Sequence, residues 1–207
     1  MRAQLQHVHW IGGGSGGGKS TIARRLAEAH SLTVYSTDAV MSDHASRSTA
    51  QDAPYLSEFK TMTMDERWVT RSPRTMLDTF HWFRGEGFEL IVEDLLRLPA
   101  KPGVIVDGFR LLPHLVNPLL RDSGQAVWLL PTPEFRFAAF GSRGSLWEIA
   151  RKTTDPETAQ RNLLERDAMF TDRLSGETKR LGLPAIEVRL GITEDELADR
   201  VADIFRL

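Results

Sequence analysis

The chain has 207 residues, 41% of them hydrophobic, with no cysteine and a formal net charge of −2. That length and apolar content suffice for one substantial core. The missing cysteine excludes a disulfide framework, a thiolate metal site and a cysteine nucleophile, and the near-balanced charge offers no broad positive field to a nucleic-acid backbone or an anionic membrane.

The chain starts MRAQLQHVHWIGGG, without the apolar stretch of a secretory signal. No later run approaches the roughly 18 apolar residues of a spanning helix, so a cytoplasmic chain is expected. Apolar runs at His7–Ile11, Leu32–Tyr35, Val104–Val106, Ala126–Leu130 and Ala185–Val188 read as buried strands separated by longer segments of helical character. Such alternation predicts an α/β architecture around a parallel sheet. His7 and His9, two apart on the first strand, read as core or rim histidines, because no third metal ligand stands nearby.

After the first strand and a glycine loop, a helix is predicted from about Lys19 to His30, with Ile22, Ala23 and Leu26 as its apolar stripe. The stretch from Ser36 to Pro102 is far longer than an ordinary crossover and predicts a helical, substrate-facing insertion over residues 39–100. Within it, Leu77, Phe80 and Phe83, then Phe88, Ile91, Leu95 and Leu96, suggest two helical pieces either side of a Gly85-Glu86-Gly87 turn. Their aromatic rings read as core. Residues 141–175, between the fourth and fifth strands, read as a lid, and 1–207 is read as one domain.

The segment Gly13-Gly14-Ser15-Gly16-Gly17-Gly18-Lys19-Ser20-Thr21 satisfies G-x-x-x-x-G-K-[ST]. Glycines let successive backbone N–H groups face phosphate oxygens, and the helix that follows turns its positive end on the same anion. Lys19 suits the β and γ phosphates of ATP, and the Ser20 hydroxyl suits the Mg2+ that bridges them. Thr21, in the first turn, is expected to meet a phosphate nearer the base. A flexible Gly/Ser linker gives no reason for Lys-Ser-Thr followed at once by an amphipathic helix.

Gly103–Arg110 reads GVIVDGFR, a β-branched run that ends in Asp107. An aspartate there can hold Mg2+ with Ser20, although Asp-Gly is also a common exposed turn. No Asn-Lys-x-Asp guanine-reading motif occurs, and Leu174-Ser175-Gly176 follows Asp107, the wrong order for the transporter ATPase signature.

These residues resemble the nucleotide and small-molecule kinase branch of the P-loop proteins, with adenylate kinase, shikimate kinase and 2-phosphoglycerate kinase among its members. Asp107-Gly108-Phe109-Arg110 looks like the adenylate kinase stretch Asp-Gly-Phe-Pro-Arg with the proline missing. The resemblance implies a three-layer fold around a five-stranded parallel sheet of order 2-3-1-4-5, helical substrate and lid insertions, and transfer of the γ-phosphoryl group of ATP. Similar kinases carry an aspartate just after the second strand to engage the acceptor hydroxyl or the magnesium shell. Asp38 stands there, and it could equally cap a helix starting near Ala39.

A small anionic acceptor needs fixed cations, for which the planar fork of arginine is suited. Arg71 and Arg74, flanking Ser72-Pro73, and Arg110 are the candidates for binding it, with Arg67 and Arg84 also in the insertion. Arg143, Arg151 and Arg161 are the candidates to stabilise the transferring group from the lid, in a segment that also holds Lys152 and Arg166. Arg161 and Glu165 could also be an exposed i, i+4 pair. The competing expectation is a nucleotide-dependent regulatory or binding module that hydrolyses ATP slowly.

Overall fold

The computed structural model describes residues 2–143 and 145–207, with their side chains outside 140–147. Its sheet contains β1 (Val8–Gly13), β2 (Thr33–Ser36), β3 (Val104–Asp107), β4 (Ala126–Pro131) and β5 (Ala185–Val188). All pairings are parallel and the order is β2-β3-β1-β4-β5, as the resemblance implies. β1 runs two residues past its predicted end, because Gly12 and Gly13 still pair with Trp128 and Leu129.

Parallel strands are buried on both faces, and their side chains alternate between two cores. Val8, Trp10, Val104, Val106, Ala126 and Trp128 pack on one side. Ile11, Ile105, Val127 and Leu129 pack on the other, against Ile22 and Leu26 of α1 (Lys19–His30) and Leu197 and Val201 near the chain end. Asp107 pairs with both Ile11 and Ser36, so β1, β2 and β3 end side by side. Open α/β sheets bind ligands outside such carboxyl ends.

Residues 39–100 hold α2 (Met41–Arg47), α3 (Pro54–Thr61), α4 (Met64–Trp68), α5 (Pro73–Thr79), α6 (His81–Arg84) and α7 (Phe88–Arg97). α7 buries Phe88, Ile91, Val92 and Leu95 in the first core. Each such side chain contributes about 1.5–3 kcal/mol. The short helices start where local chemistry ends their neighbours. Thr63 and Glu66 form a capping box, and Ser72 caps α5 ahead of Pro73. The Gly85-Glu86-Gly87 turn forms as predicted, with φ of 89° and 72° at its glycines. Between them the Glu86 carboxylate accepts the N–H groups of Tyr55 and Leu56 at the start of α3, both at 2.9 Å. The helical piece expected before this turn is two helices, since Phe80 adopts extended backbone and places its ring among Phe59, Trp68 and Phe83.

Beyond β3 come α8 (Pro113–Val116), α9 (Pro133–Arg143), α10 (Ser145–Ala150), α11 (Pro156–Leu181) and α12 (Glu194–Phe205). α11 has 26 residues, from the Asp155 cap to the left-handed Gly182, and it packs on α4, α5, α8 and β4. It thus carries most of the segment read as a lid into the body of the fold. No helix among the described residues is long and apolar enough to cross a membrane.

Candidate functional site

The glycine loop joins the end of β1 to the start of α1, and backbone contacts explain its composition. A Cβ on Gly13, whose φ is 131°, would lie 2.1 Å from the Leu129 carbonyl oxygen, and one on Gly14 would lie 2.4 Å from Thr171 Oγ1. The Gly14 N–H donates to the Leu129 carbonyl at 3.0 Å. Gly18 precedes α1 with φ of 80° and supplies no side-chain cap, which leaves the helix N-terminus to the loop. Lys19 is buried, and its Nζ donates to the Gly14 carbonyl at 2.8 Å, across the concavity. Ser20 and Thr21 follow in the first turn.

Ser20 Oγ donates to Asp107 Oδ2 at 2.5 Å. Asp107 is 1% exposed and its Oδ1 has no hydrogen-bond partner, so it is no surface turn aspartate. A buried carboxylate oxygen left unpaired beside a hydroxyl is the donor set that a hard cation takes. Among the described residues no three His, Cys, Asp or Glu side chains converge on such a point. A magnesium ion at Ser20 and Asp107 would complete its shell with phosphate and water oxygens, its ordinary habit.

Asp38 borders the same space from the turn after β2. The helix expected to begin near Ala39 begins at Met41, with Val40 as its N-cap and no side-chain cap bond, so the capping role falls away. The carboxyl reaches solvent through the cavity while protein surrounds it elsewhere. Burial raises its pKa, Asp107 adds to the rise, and Lys19 and Arg110 oppose it.

Arg110, 2% exposed, lies behind the wall of the site. It donates to the Thr37 carbonyl at 3.4 Å, to the Gly87 carbonyl at 3.0 Å and to His44 Nδ1 at 3.0 Å. Its guanidinium carbon stacks 4.0 Å from the Trp82 ring centre. Arginine only donates, so His44 is the tautomer that accepts at Nδ1 and donates from Nε2 to Asp94 at 2.8 Å. Burial lowers the Arg110 pKa to about 10. The geometry makes Arg110 a support for Thr37, next to Asp38, and for Trp82.

The other arginines lie elsewhere. Arg71 bonds Thr79 and the Thr75 carbonyl, and exposed Arg74 pairs with Asp78 at 3.3 Å. Arg151 is exposed, as is Arg161, which donates to Thr158 Oγ1 at 3.1 Å. None of these four lines the cavity at the loop. Arg143 belongs to the side chains outside the described ones.

That cavity, of about 490 Å³, runs from Ser15–Ser20 and Asp38 to a wall that includes Phe59, Trp68, Phe80, Trp82 and Phe109. Phe80 and Phe83, read from the sequence as core, are therefore also part of its lining. Arg166 and Asp167 enter it from α11, joined through Asp167 Oδ1 at 2.9 and 2.6 Å. A third buried arginine, Arg136 of α9, donates to the Ser15 carbonyl at 3.4 Å and to Thr171 Oγ1, and so ties the loop to α11. Sequence reading named Arg166 only among the lid cations and passed over Asp167 and Arg136, yet for the α11 pair a signal was there. Arg166 and Asp167 sit on the stripe of Leu163, Phe170 and Leu174, where a charged pair must be held for a reason.

No protein-family model matches the sequence, and no curated protein matches it. Among solved structures, deoxyadenosine kinase from M. mycoides with bound dATP superposes with a TM-score of 0.50, at 10% identity, over 97% of this chain and 100% of that one. An uncharacterized protein from Eubacterium ventriosum gives a TM-score of 0.47 at 15% identity, over 96% and 97% of the two chains. The first likeness, with the strand order and the phosphate loop, shows that this chain has the fold of the P-loop kinases.

Proposed function

We propose that this protein is a kinase that moves the γ-phosphoryl group of Mg-ATP onto a hydroxyl of a small acceptor. The observation that carries the reading is one cavity lined by both the phosphate loop, with Asp38 beside Lys19, and a ring-walled space of acceptor size. The loop amides and Lys19 would bind and orient the triphosphate. Ser20 and Asp107 would hold a magnesium ion, which when bound neutralises charge on the phosphates. Asp38 would orient the acceptor hydroxyl and take its proton, a role that suits a carboxyl whose pKa is raised. Arg166, its charge matched by Asp167, would donate hydrogen bonds into the cavity, and Arg143, Arg151 and Arg161 would stabilise the transferring group only if the lid region closes. Arg71 and Arg74 would meet an anionic acceptor only by a similar rearrangement.

A regulatory module with slow ATP hydrolysis needs no acceptor chamber beside its phosphate loop, so the cavity favours transfer. A cytoplasmic location would suit the supply of ATP. The test is Asp38→Asn, assayed with labelled ATP against a panel of small alcohols and by calorimetry for ATP alone. ATP affinity stays within a few-fold, while transfer falls about a hundredfold to ten-thousandfold, the usual contribution of a general base. Transfer within a few-fold of wild type removes Asp38 from the chemistry. Phosphate release that depends on a macromolecule, with no label on any small molecule, favours the module.

A further inference from the structure

Away from the phosphate loop, the cavity is walled by rings centred on Phe80. The Phe59 and Phe83 ring centres lie 5.5 and 4.8 Å from it, and Phe109 stands nearly parallel, at 28° and 6.5 Å. Arg166 adds the flat face of a guanidinium, its central carbon 5.1 Å from the Phe80 ring centre and 5.2 Å from those of Trp68 and Phe83. Such surfaces reward a planar guest with stacking and water release.

Two residues of this wall carry buried polar atoms without partners, His81 Nδ1 and Arg166 Nη1. Native folds leave few such atoms, and one beside a cavity is a hydrogen-bonding position that a ligand can complete. Burial lowers the His81 pKa to about 3, so its ring is neutral. The charge of Arg166 is matched by Asp167, and Arg110 lies behind Trp82, outside the lining. Arg67 likewise lies over the Phe59 ring and outside the lining, so the lining of the ring-walled half offers no cation free of a carboxylate, and a phosphate or carboxylate buried there would touch no unmatched counter-ion.

We infer that the acceptor is an uncharged planar ring compound, lodged among Phe80, Phe109 and Trp82, with a ring carbonyl or ring nitrogen accepting from Arg166 and one hydroxyl reaching Asp38. Nucleosides and hydroxymethyl pyridines belong to this class. The inference rests on the phosphoryl-transfer reading. The acceptor oxygen bonds to the γ phosphorus, the bond from that phosphorus to the ADP oxygen breaks, and the hydroxyl proton passes to the Asp38 carboxylate.

The test is calorimetric titration of the full chain, loaded with magnesium and a non-hydrolysable ATP analogue so that the phosphate loop is occupied. Adenosine and pyridoxine serve as ring probes, and glycerate and 2-phosphoglycerate as ring-free anions. At least one ring probe binds about tenfold or more tightly than either anion. Phe80→Leu weakens that probe about tenfold and leaves the analogue's affinity within twofold. Phe109→Leu, at a partly exposed position, does the same if Phe80→Leu fails to fold. Tighter binding of either anion, no binding of either ring probe, or ring affinity unchanged in the folded variants overturns the inference. Binding needs no turnover, so the two readings fail separately. A ring probe that binds yet takes no label from ATP defeats transfer and leaves the site, whereas label on a ring-free anion keeps transfer and defeats the ring class.

Discussion

Replacing Arg136 by methionine separates the anchoring of the phosphate loop from the stability of the fold. The residue is 2% exposed, and methionine keeps most of its apolar stem. Two of its hydrogen bonds, to the Ser15 and Pro131 carbonyls, are 3.4 Å long and contribute about 0.5–1 kcal/mol each. The bond to Thr171 adds about 1–2 kcal/mol. Against these stands the cost of holding a guanidinium out of water, several kcal/mol, which also lowers its pKa. Asp167 keeps its bonds to Arg166, so no buried carboxylate is stranded. The terms nearly cancel, and unfolding free energy should stay within about 2 kcal/mol of wild type. The loss is local. Ser15 is freed in the unliganded loop, and fixing one backbone residue on binding costs about 1–2 kcal/mol. Mg-ATP should therefore bind about 5–30-fold more weakly. Calorimetry and urea unfolding on the same preparation read both quantities. An affinity within twofold of wild type refutes the anchoring argument, and a loss of stability beyond about 4 kcal/mol refutes the cancellation.

Lys19→Ala should fold, since the loop is shaped by its own backbone, yet lose turnover by about a hundredfold to a thousandfold, and a folded variant with normal turnover would displace the site. Ser20→Ala and Asp107→Asn should each raise the magnesium concentration needed for half-maximal activity, because each removes a hard oxygen donor, and unchanged magnesium curves in both would remove the metal from this pair. His81 has a folded pKa of about 3 against 6.5 unfolded, so the unfolded chain binds the extra proton between these values. The stability held by its neutral ring is complete above pH 6.5 and declines as pH falls toward 3, by about 3 kcal/mol at pH 4.5. Urea unfolding of His81→Phe at pH 7 and 4.5 should show a smaller drop than wild type by that amount, and equal drops would show that the ring titrates normally.

The glycine loop and its flanking elements were legible because they are local in sequence. Strand, glycine loop, Lys19, Ser20 and the α1 stripe lie within one βα unit, where spacing and backbone conformation are set by adjacent residues. Asp107 was legible too, since a carboxylate that ends a β-branched run reaches the carboxyl edge of a parallel sheet. The arginines were not. Exposed Arg74 and buried Arg110 look alike in one dimension, and what distinguishes them is the neighbours that remote elements bring.

By itself the sequence determined the five strands, the glycine loop and the helix after it, because periodicity and glycine placement act over a few residues. Only the tertiary structure decided that Phe80 and Phe109 wall a cavity, that Arg136 braces the loop, and that Arg166 and Asp167 enter the site from α11. Those contacts join segments far apart in the chain, and the burial that gives a charge or a ring its role exists only once the segments have packed together.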